Sequence, residues 1–373
     1  MKVGLDARIL AHPQSGIATY LINLIREYRK TDQIQISLFG DKPINRCYEE
    51  AVRGLDVDIF GQNSRKRWAQ FLLPSRLRGR SIDVYHAVWN NAVPLLTRVP
   101  TVVTICDLIP WKVPEVFKGL KKEMKYKAQQ WCAARWAKKV ITISESSKKD
   151  IVELLKIRPD KVSVTYLGSN IKRVDDPDAI DECLCHHKIR RPYILHVGDL
   201  IQPRRNIVTL LKAFSLLLER KPIDIKLVLV GSKGEEGSLY NSLMELARGL
   251  NIEKMITVTG HISRPDFNKI LSGATALAFP SRYEGFGLPI LEAMSCGVPV
   301  VASNASSVPE VVGDAAILVE PEDVNGFVSA ISRVCTDEAL RGDLIKKGKD
   351  RAEVFSWRKT AEETLRVYKE AVV

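Results

Sequence analysis

Ser281-Arg-Tyr-Glu-Gly-Phe-Gly-Leu-Pro-Ile-Leu-Glu292 is the stretch on which the reading of this chain turns. The apolar run Ala276 to Pro280 before it reads as a buried strand. After it, Ala293-Met-Ser-Cys296 and then Gly297 read as the end of a short helix. The order is therefore strand, glycine-rich turn, helix. Pro289 suits a first helical turn, where no amide donor is needed. The amides around Phe286, Gly287 and Leu288 then lie at a helix N-terminus, whose partial positive charge attracts phosphate. Gly285 and Gly287 let the backbone approach a ligand with no side chain in the way. Glu284 and Glu292 bracket the turn. A carboxylate beside a phosphate site is costly unless it binds something else, and sugar hydroxyls, which donate to carboxylates, are its natural partner. The same residues also suit a plain strand–turn–helix unit with surface acids.

Glu284 and Glu292, spaced E-x7-E, with the following Ala-Met-Ser-Cys-Gly-Val-Pro-Val-Val-Ala-Ser, resemble the nucleotide-sugar signature of glycosyltransferase family 4. The likeness extends along nearly the whole chain. It is closest to the mannosyltransferase-like branch that builds bacterial polysaccharide and lipopolysaccharide. It implies an α/β chain of the GT-B fold: two Rossmann-like domains facing an interdomain cleft, with a C-terminal helix crossing back to the N-terminal domain. It further implies a retaining transferase that moves a hexose, with mannose from GDP-mannose favoured and UDP-sugars as the alternative donors. The acceptor implied is a glycan or a lipid-linked glycan.

Length agrees with two domains, since 373 residues are too many for one ordinary core. The expected division is an acceptor-binding domain over 1–175, a nucleotide-sugar-binding domain over 186–354, and a terminal helix over 355–373, with the polar run Lys172 to Asp181 as the boundary. A hydrophobic content of 45% and a charged content of 27% are ordinary for a globular protein. No apolar run reaches the ~18 residues of a membrane span. The opening Met-Lys-Val-Gly-Leu-Asp-Ala-Arg is broken by charge too soon for a signal peptide. Seven cysteines scattered without a framework fit a reducing compartment, so a cytoplasmic protein is expected, peripheral on the inner face of the membrane. Cys183-Leu-Cys185-His186-His187 has the composition of a metal tract, but no second cluster along the chain completes it. No metal ligand is assigned.

Charge is unevenly placed. The net +12 lies in residues 1–180, which carry 31 Lys and Arg against 19 Asp and Glu, whereas the remainder carries 25 of each. An acidic partner of the first half follows: anionic lipid, a pyrophosphate-linked acceptor or nucleic acid. No recognised nucleic-acid motif is present, so nucleic acid is set aside. Arg65 to Arg80 mixes six cations with Trp68, Phe71, Leu72, Leu73 and Leu77, the composition of a peripheral membrane contact and equally of a solvated helix packed by one side. Trp111 to Lys139 is a second basic helical region.

Strands are expected at Lys2 to Asp6, Gln35 to Phe39, Val57 to Phe60, before His86, at Thr101 to Ile105 and, as the last of this half, at Val140 to Ile143, while Val162 to Leu167 with Gly168 resemble the segment leading into the family's interdomain linker. In the second half they fall near Tyr193, at Lys226 to Val230, Met255 to Thr259, Ala276 to Pro280 and Val298 to Ala302. By the resemblance, Gly16 approaches the donor phosphates, Arg204 and Arg205 neutralise the donor diphosphate, and Ile262 lies near the base. Glu284 orients the sugar and Glu292 takes ribose hydroxyls. Cys106 stands where most family members carry a His, so a charged imidazole is missing there. Asp107 and His86 are the nearest polar groups, with a structural role preferred for His86. Bond breaking passes through an oxocarbenium-like state, and Arg204, Arg205 and the helix start at Phe286–Leu288 would hold the charge growing on the diphosphate. No divalent ion is then required. The catalytic candidates are Glu284, Arg204, Arg205 and Asp107. The binding candidates are Gly16, Arg204, Arg205, Ile262, Glu284, Phe286, Gly287, Leu288 and Glu292. A GT-B-shaped epimerase or phosphorylase, and a non-catalytic sugar-nucleotide binder suggested by Cys106, are the rival readings.

Overall fold

Apolar runs of four or five β-branched and aliphatic residues recur along both halves, and in the computed structural model they are the strands of two parallel sheets. Strands buried on both faces read as continuous apolar runs. Residues 1–12, 15–61, 67–89, 93–113, 115, 119–221, 223–234 and 239–373 are described. Expectations for Pro13, Gln14, Arg65, Lys66 and Lys118 lie outside them. The chain divides into two units, Met1–Gly168 with Ser356–Val373, and Ser169–Phe355. Helices of at least eight residues are numbered below in chain order.

The first unit holds β1 (Lys2–Asp6), β2 (Gln35–Gly40), β3 (Asp56–Ile59), β4 (Val84–Ala87), β5 (Thr101–Thr104), β6 (Lys139–Thr142) and β7 (Val162–Val164). Their order is β3-β2-β1-β4-β5-β6-β7, every neighbour parallel. Helix α1 (Gly16–Tyr28) starts at Ser15, whose Oγ accepts from Ala18 N at 3.1 Å. Helices α2 (Leu120–Trp136) and α3 (Glu145–Leu155) follow, the latter capped by Ser144. Trp68 of the basic stretch is fully buried, stacked on Phe60 and covered by the Arg8 guanidinium at 4.5 Å. Phe71 and Leu72 remain exposed.

The second unit begins with α4 (Pro177–His186), then alternates β8 (Tyr193–Val197), α5 (Ile207–Arg220), β9 (Lys226–Val230), α6 (Leu239–Gly249), β10 (Ile256–Gly260) and α7 (Arg264–Ser272). It continues with β11 (Ala276–Phe279), α8 (Leu288–Ser295), β12 (Val300–Ser303), β13 (Ile317–Val319), α9 (Val324–Thr336) and α10 (Glu338–Glu353). The sheet order is β10-β9-β8-β11-β12-β13, again all parallel. Its core joins Ile194, Leu210, Phe214 and Leu227 to Phe327 and Ile331. Strand β7, which lies beyond the expected last strand of its half, and strand β13 have only three residues each, too few for any periodicity to announce them.

Helix α11 (Trp357–Val372) packs on α1 and on strands β4 to β6 of the first unit. The division falls at Gly168, earlier than the expected boundary after residue 175. Arg173 donates to Cys296 O at 3.0 Å and Val174 N donates to Ser272 Oγ at 2.9 Å, so the polar run is already tied into the second unit. Part of that run is α4. At Gly168 a Cβ would lie 2.2 Å from Trp357 N, so the departing and returning segments pass where only glycine fits.

Candidate functional site

Strand β8 lies between β9 and β11, so the chain winds away from it in opposite directions. Ligands of open parallel sheets bind beyond the carboxyl ends of the strands at such a reversal. The loops after β8 and β11 meet there. Asn206, in the left-handed region at φ 56°, donates through Nδ2 to Pro280 O at 3.2 Å and Pro321 O at 2.7 Å. Arg282 N donates to Arg204 O at 2.8 Å. These bonds bring Arg204 and Arg205, on a 3-10 turn over Pro203–Arg205, against Glu284. Arg204 Nη1 lies 2.8 Å from Glu284 Oε1, and Arg205 Nη1 bonds the same oxygen. All three side chains are nearly buried, at 14%, 12% and 8% exposure. Phe279 faces the Arg205 guanidinium at 5.5 Å. The peptide of Glu284 is held at both ends: its N–H donates to Ser306 Oγ at 2.8 Å and its carbonyl accepts from Ser307 Oγ at 3.0 Å.

Gly287 opens α8 at φ 100°, a conformation L side chains rarely adopt. It leaves the helix start without a capping side chain, with Pro289 in the first turn. Phe286 is buried and meets Phe355 edge-on at 5.7 Å, so its side chain anchors the turn while Leu288 is half-buried. Glu292, buried on α8, pairs with Arg264 at the start of α7. Burial raises the Glu292 carboxyl above its usual range, and Arg264 opposes that rise. Ile262 is half-buried between β10 and Ser263, which caps α7. The carboxyl ends of β8 and β9 close on each other through glycine: a Cβ on Gly231 would lie 1.7 Å from Gly198 O.

Gly16 and Asp107 belong to the first unit. Gly16 is exposed at the first position of α1, and a Cβ there would meet nothing within 4 Å. Asp107 follows β5; its Oδ1 accepts from Ile109 N at 3.1 Å and its carbonyl from Gln130 Nε2 at 3.3 Å. Burial, then Asp107, push the Cys106 thiol up to about 12, so it stays neutral. His86 is fully buried, with Nδ1 2.6 Å from Tyr368 Oη and Nε2 2.7 Å from Thr104 Oγ1. Burial lowers it to about 3, so it is a neutral link between β4, β5 and α11 rather than a replacement cation.

Arg264, Asn206, Ser306 and Ser307 escaped sequence reasoning. Arg264 is one cation among many, and its meaning comes only from Glu292, which the fold brings to it. Two Asp-x-Asp spacings, a common metal-holding pattern, lie elsewhere. Asp56 and Asp58 on β3 pair with Arg80 at 2.5 and 3.1 Å, and Asp176 caps α4 by accepting from Ala179 N.

Residues 14–173 match the family described as Glycosyltransferase Family 4, and residues 186–351 match Glycosyl transferases group 1. With two parallel-sheet Rossmann-like domains, the chain belongs to the GT-B glycosyltransferases of the family 4 type. Among its relatives is the O-antigen chain mannosyltransferase B of Escherichia coli, 36% identical over 237 residues, covering 62% of this chain and 61% of that one. Another is the MMP alpha-(1->4)-mannosyltransferase of Mycolicibacterium hassiacum, 30% identical over 243 residues, covering 64% and 56%. The chain thus aligns over about three-fifths of the length of these curated relatives. Anabaena HepE, solved in complex with UDP-glucose, superposes with a TM-score of 0.77 at 21% identity, covering 99% of this chain and all of that one, a likeness of fold.

Proposed function

We propose that this protein is a retaining glycosyltransferase that moves mannose from GDP-mannose to a glycan or lipid-linked acceptor in surface-polysaccharide synthesis. The observation that carries the donor site is the meeting of Arg204, Arg205 and Glu284 at the sheet's point of reversal, beside the uncapped start of α8. Two guanidiniums on one carboxylate leave a net positive charge that a diphosphate would fill. Arg suits phosphate oxygens through its planar fork. As the sugar–phosphate bond breaks, these cations and the helix start take up the charge of the leaving diphosphate, which makes a divalent ion unnecessary for transfer. Once the arginines turn to phosphate, Glu284 is released toward sugar hydroxyls. Glu292, held by Arg264, is assigned to the ribose. Mannose is supported by the names of the relatives, two of which are mannosyltransferases.

Acceptor and membrane belong to the basic first unit in this reading. Leu120, Met124 and Trp131 are exposed and fall on one face of α2, with Arg135 beside them. Exposed apolar anchors among cations suit an anionic bilayer. No helix among the described residues is long and apolar enough to cross a membrane.

Thermal shift against GDP, GDP-mannose, UDP and UDP-glucose, followed by NMR of the product's anomeric centre, tests the proposal. Stabilisation by GDP and GDP-mannose, lost in Arg205→Ala and Glu292→Ala, with an axial mannosyl product, is expected. A response to uridine nucleotides alone would replace the donor. Nucleotide binding without transfer to any glycan acceptor would favour a non-catalytic binder.

A further inference from the structure

Cys183 and His187 stand four residues apart at the end of α4, on one helical face. His187 N still bonds Cys183 O at 3.1 Å, so the helical spacing holds through the cap. Helix α4 packs on α7, whose first turn carries Asp266. Cys183 Sγ lies 3.7 Å from Asp266 Oδ1, and His187 Nε2 lies 3.4 Å from Asp266 Oδ2. Thiol, imidazole and carboxylate ligand atoms all fall within 4.8 Å of one another. Cys183 is buried, and Asp266 keeps about a third of its surface open, enough for an ion to enter.

We propose that Cys183, His187 and Asp266 form a zinc-type metal site, separate from the sugar-transfer residues. Thiolate, imidazole and carboxylate together are the donor set of Zn²⁺, at bond lengths of roughly 2.0–2.3 Å. A tetrahedron of that size has edges of about 3.3–3.8 Å; the two contacts to Asp266, at 3.7 and 3.4 Å, already have that length, and the remaining spacing, within 4.8 Å, has to close by about 1 Å at most. Three protein ligands leave a fourth position for water. Binding displaces the thiol proton of Cys183 to solvent and involves no change of oxidation state. Neither part of the pattern is sufficient in sequence: Cys183 is 83 residues from Asp266 and His187 is 79 from it.

The site's place in the fold defines what it does. Asp266 is two residues from Arg264, the partner of Glu292, and accepts nothing from α4 except through this pair of side chains. A bound ion would pin the start of α7 to the end of α4 and so hold Arg264 in place.

The test uses the full chain, reduced and freed of metal by chelation, titrated with Co²⁺ and followed by absorbance. The expected result is saturation at one site, with a thiolate-to-cobalt charge-transfer band and the visible bands of tetrahedral cobalt, all displaced by Zn²⁺. Cys183→Ser should abolish the charge-transfer band. Asp266→Asn, at a position about one-third exposed, should weaken binding while circular dichroism stays unaltered. Cys185→Ser, on the exposed neighbour, should leave the spectrum as it was. Loss of the band in Cys185→Ser, its persistence in Cys183→Ser, or no saturable binding at all would overturn the site.

Discussion

Glu284 holds one carboxylate against two guanidiniums where water scarcely reaches. Removing one member of a buried charge set leaves the others uncompensated, typically at a cost of several kcal/mol. Glu284→Gln should therefore destabilise the second unit by about 3 kcal/mol. Because the orphaned charges are both positive, GDP should recover more stability in this variant than in the unaltered protein; denaturant melts with and without GDP measure it. Equal recovery would mean that diphosphate does not reach these arginines. His196 makes a second residue-scale case. Its Nδ1 donates to Ala278 O at 3.0 Å, and its Nε2 has no partner among the described residues. Burial lowers it from 6.5 to about 4, as it lowers His86 to about 3. Both are neutral when folded and gain a proton more readily when unfolded. Stability is thus unaffected above 6.5 and falls as pH drops from 6.5 towards about 4 for His196 and about 3 for His86. At pH 5 each should cost about 2 kcal/mol relative to pH 7.5. Melts at the two pH values, with His196→Gln expected to flatten the dependence, check the sign.

Helix α11 is the element that completes the first unit. Trp357, Ala361, Val367, Tyr368 and Ala371 are buried along one side of it. Tyr28 Oη donates to Ala361 O at 3.3 Å, and Thr360 Oγ1 bonds the carbonyl of Tyr166. Tyr368 reaches His86 at 2.6 Å in the middle of the sheet. A buried imidazole that loses this partner bears the cost of an unsatisfied polar atom. Tyr368→Phe should lower the first unit's stability by about 1–2 kcal/mol while leaving the midpoint of the second unit in place. Calorimetry that resolves the two transitions reads this directly; a shift of the second transition instead would misplace the helix's role.

Across the whole molecule, the excess positive charge belongs to the first half of the chain. Membrane attraction of this kind is electrostatic and is screened within a Debye length of about 8 Å at physiological salt. The protein should co-sediment with phosphatidylglycerol vesicles at low salt, release at high salt, and bind far less as the Met124→Glu, Trp131→Ala double variant. Binding that ignores salt, or that survives the double variant, would move the contact away from α2.

Most of the architecture was legible in the residues. Parallel strands buried on both faces are unbroken apolar runs, so β1 to β6 and β8 to β12 announced themselves, and local turn chemistry around Gly287 and Pro289 marked the start of α8. The three-residue β7 and β13 did not, because their pairing with β6 and β12 comes from the neighbour rather than from their own pattern. The domain boundary was also hidden, since a polar run looks like a linker whether or not it is tied down, and the bonds of Arg173 and Val174 show that it is. The local sequence by itself determined which residues form strands, turns and helix starts, since those depend on neighbours within a few positions. Tertiary structure alone decided that Glu284 meets Arg204 and Arg205, that Glu292 meets Arg264, and that Asp266 meets Cys183 and His187. Each of those pairings joins separate loops or helices, and their partners are specified by the packing of the parallel sheet rather than by distance along the chain.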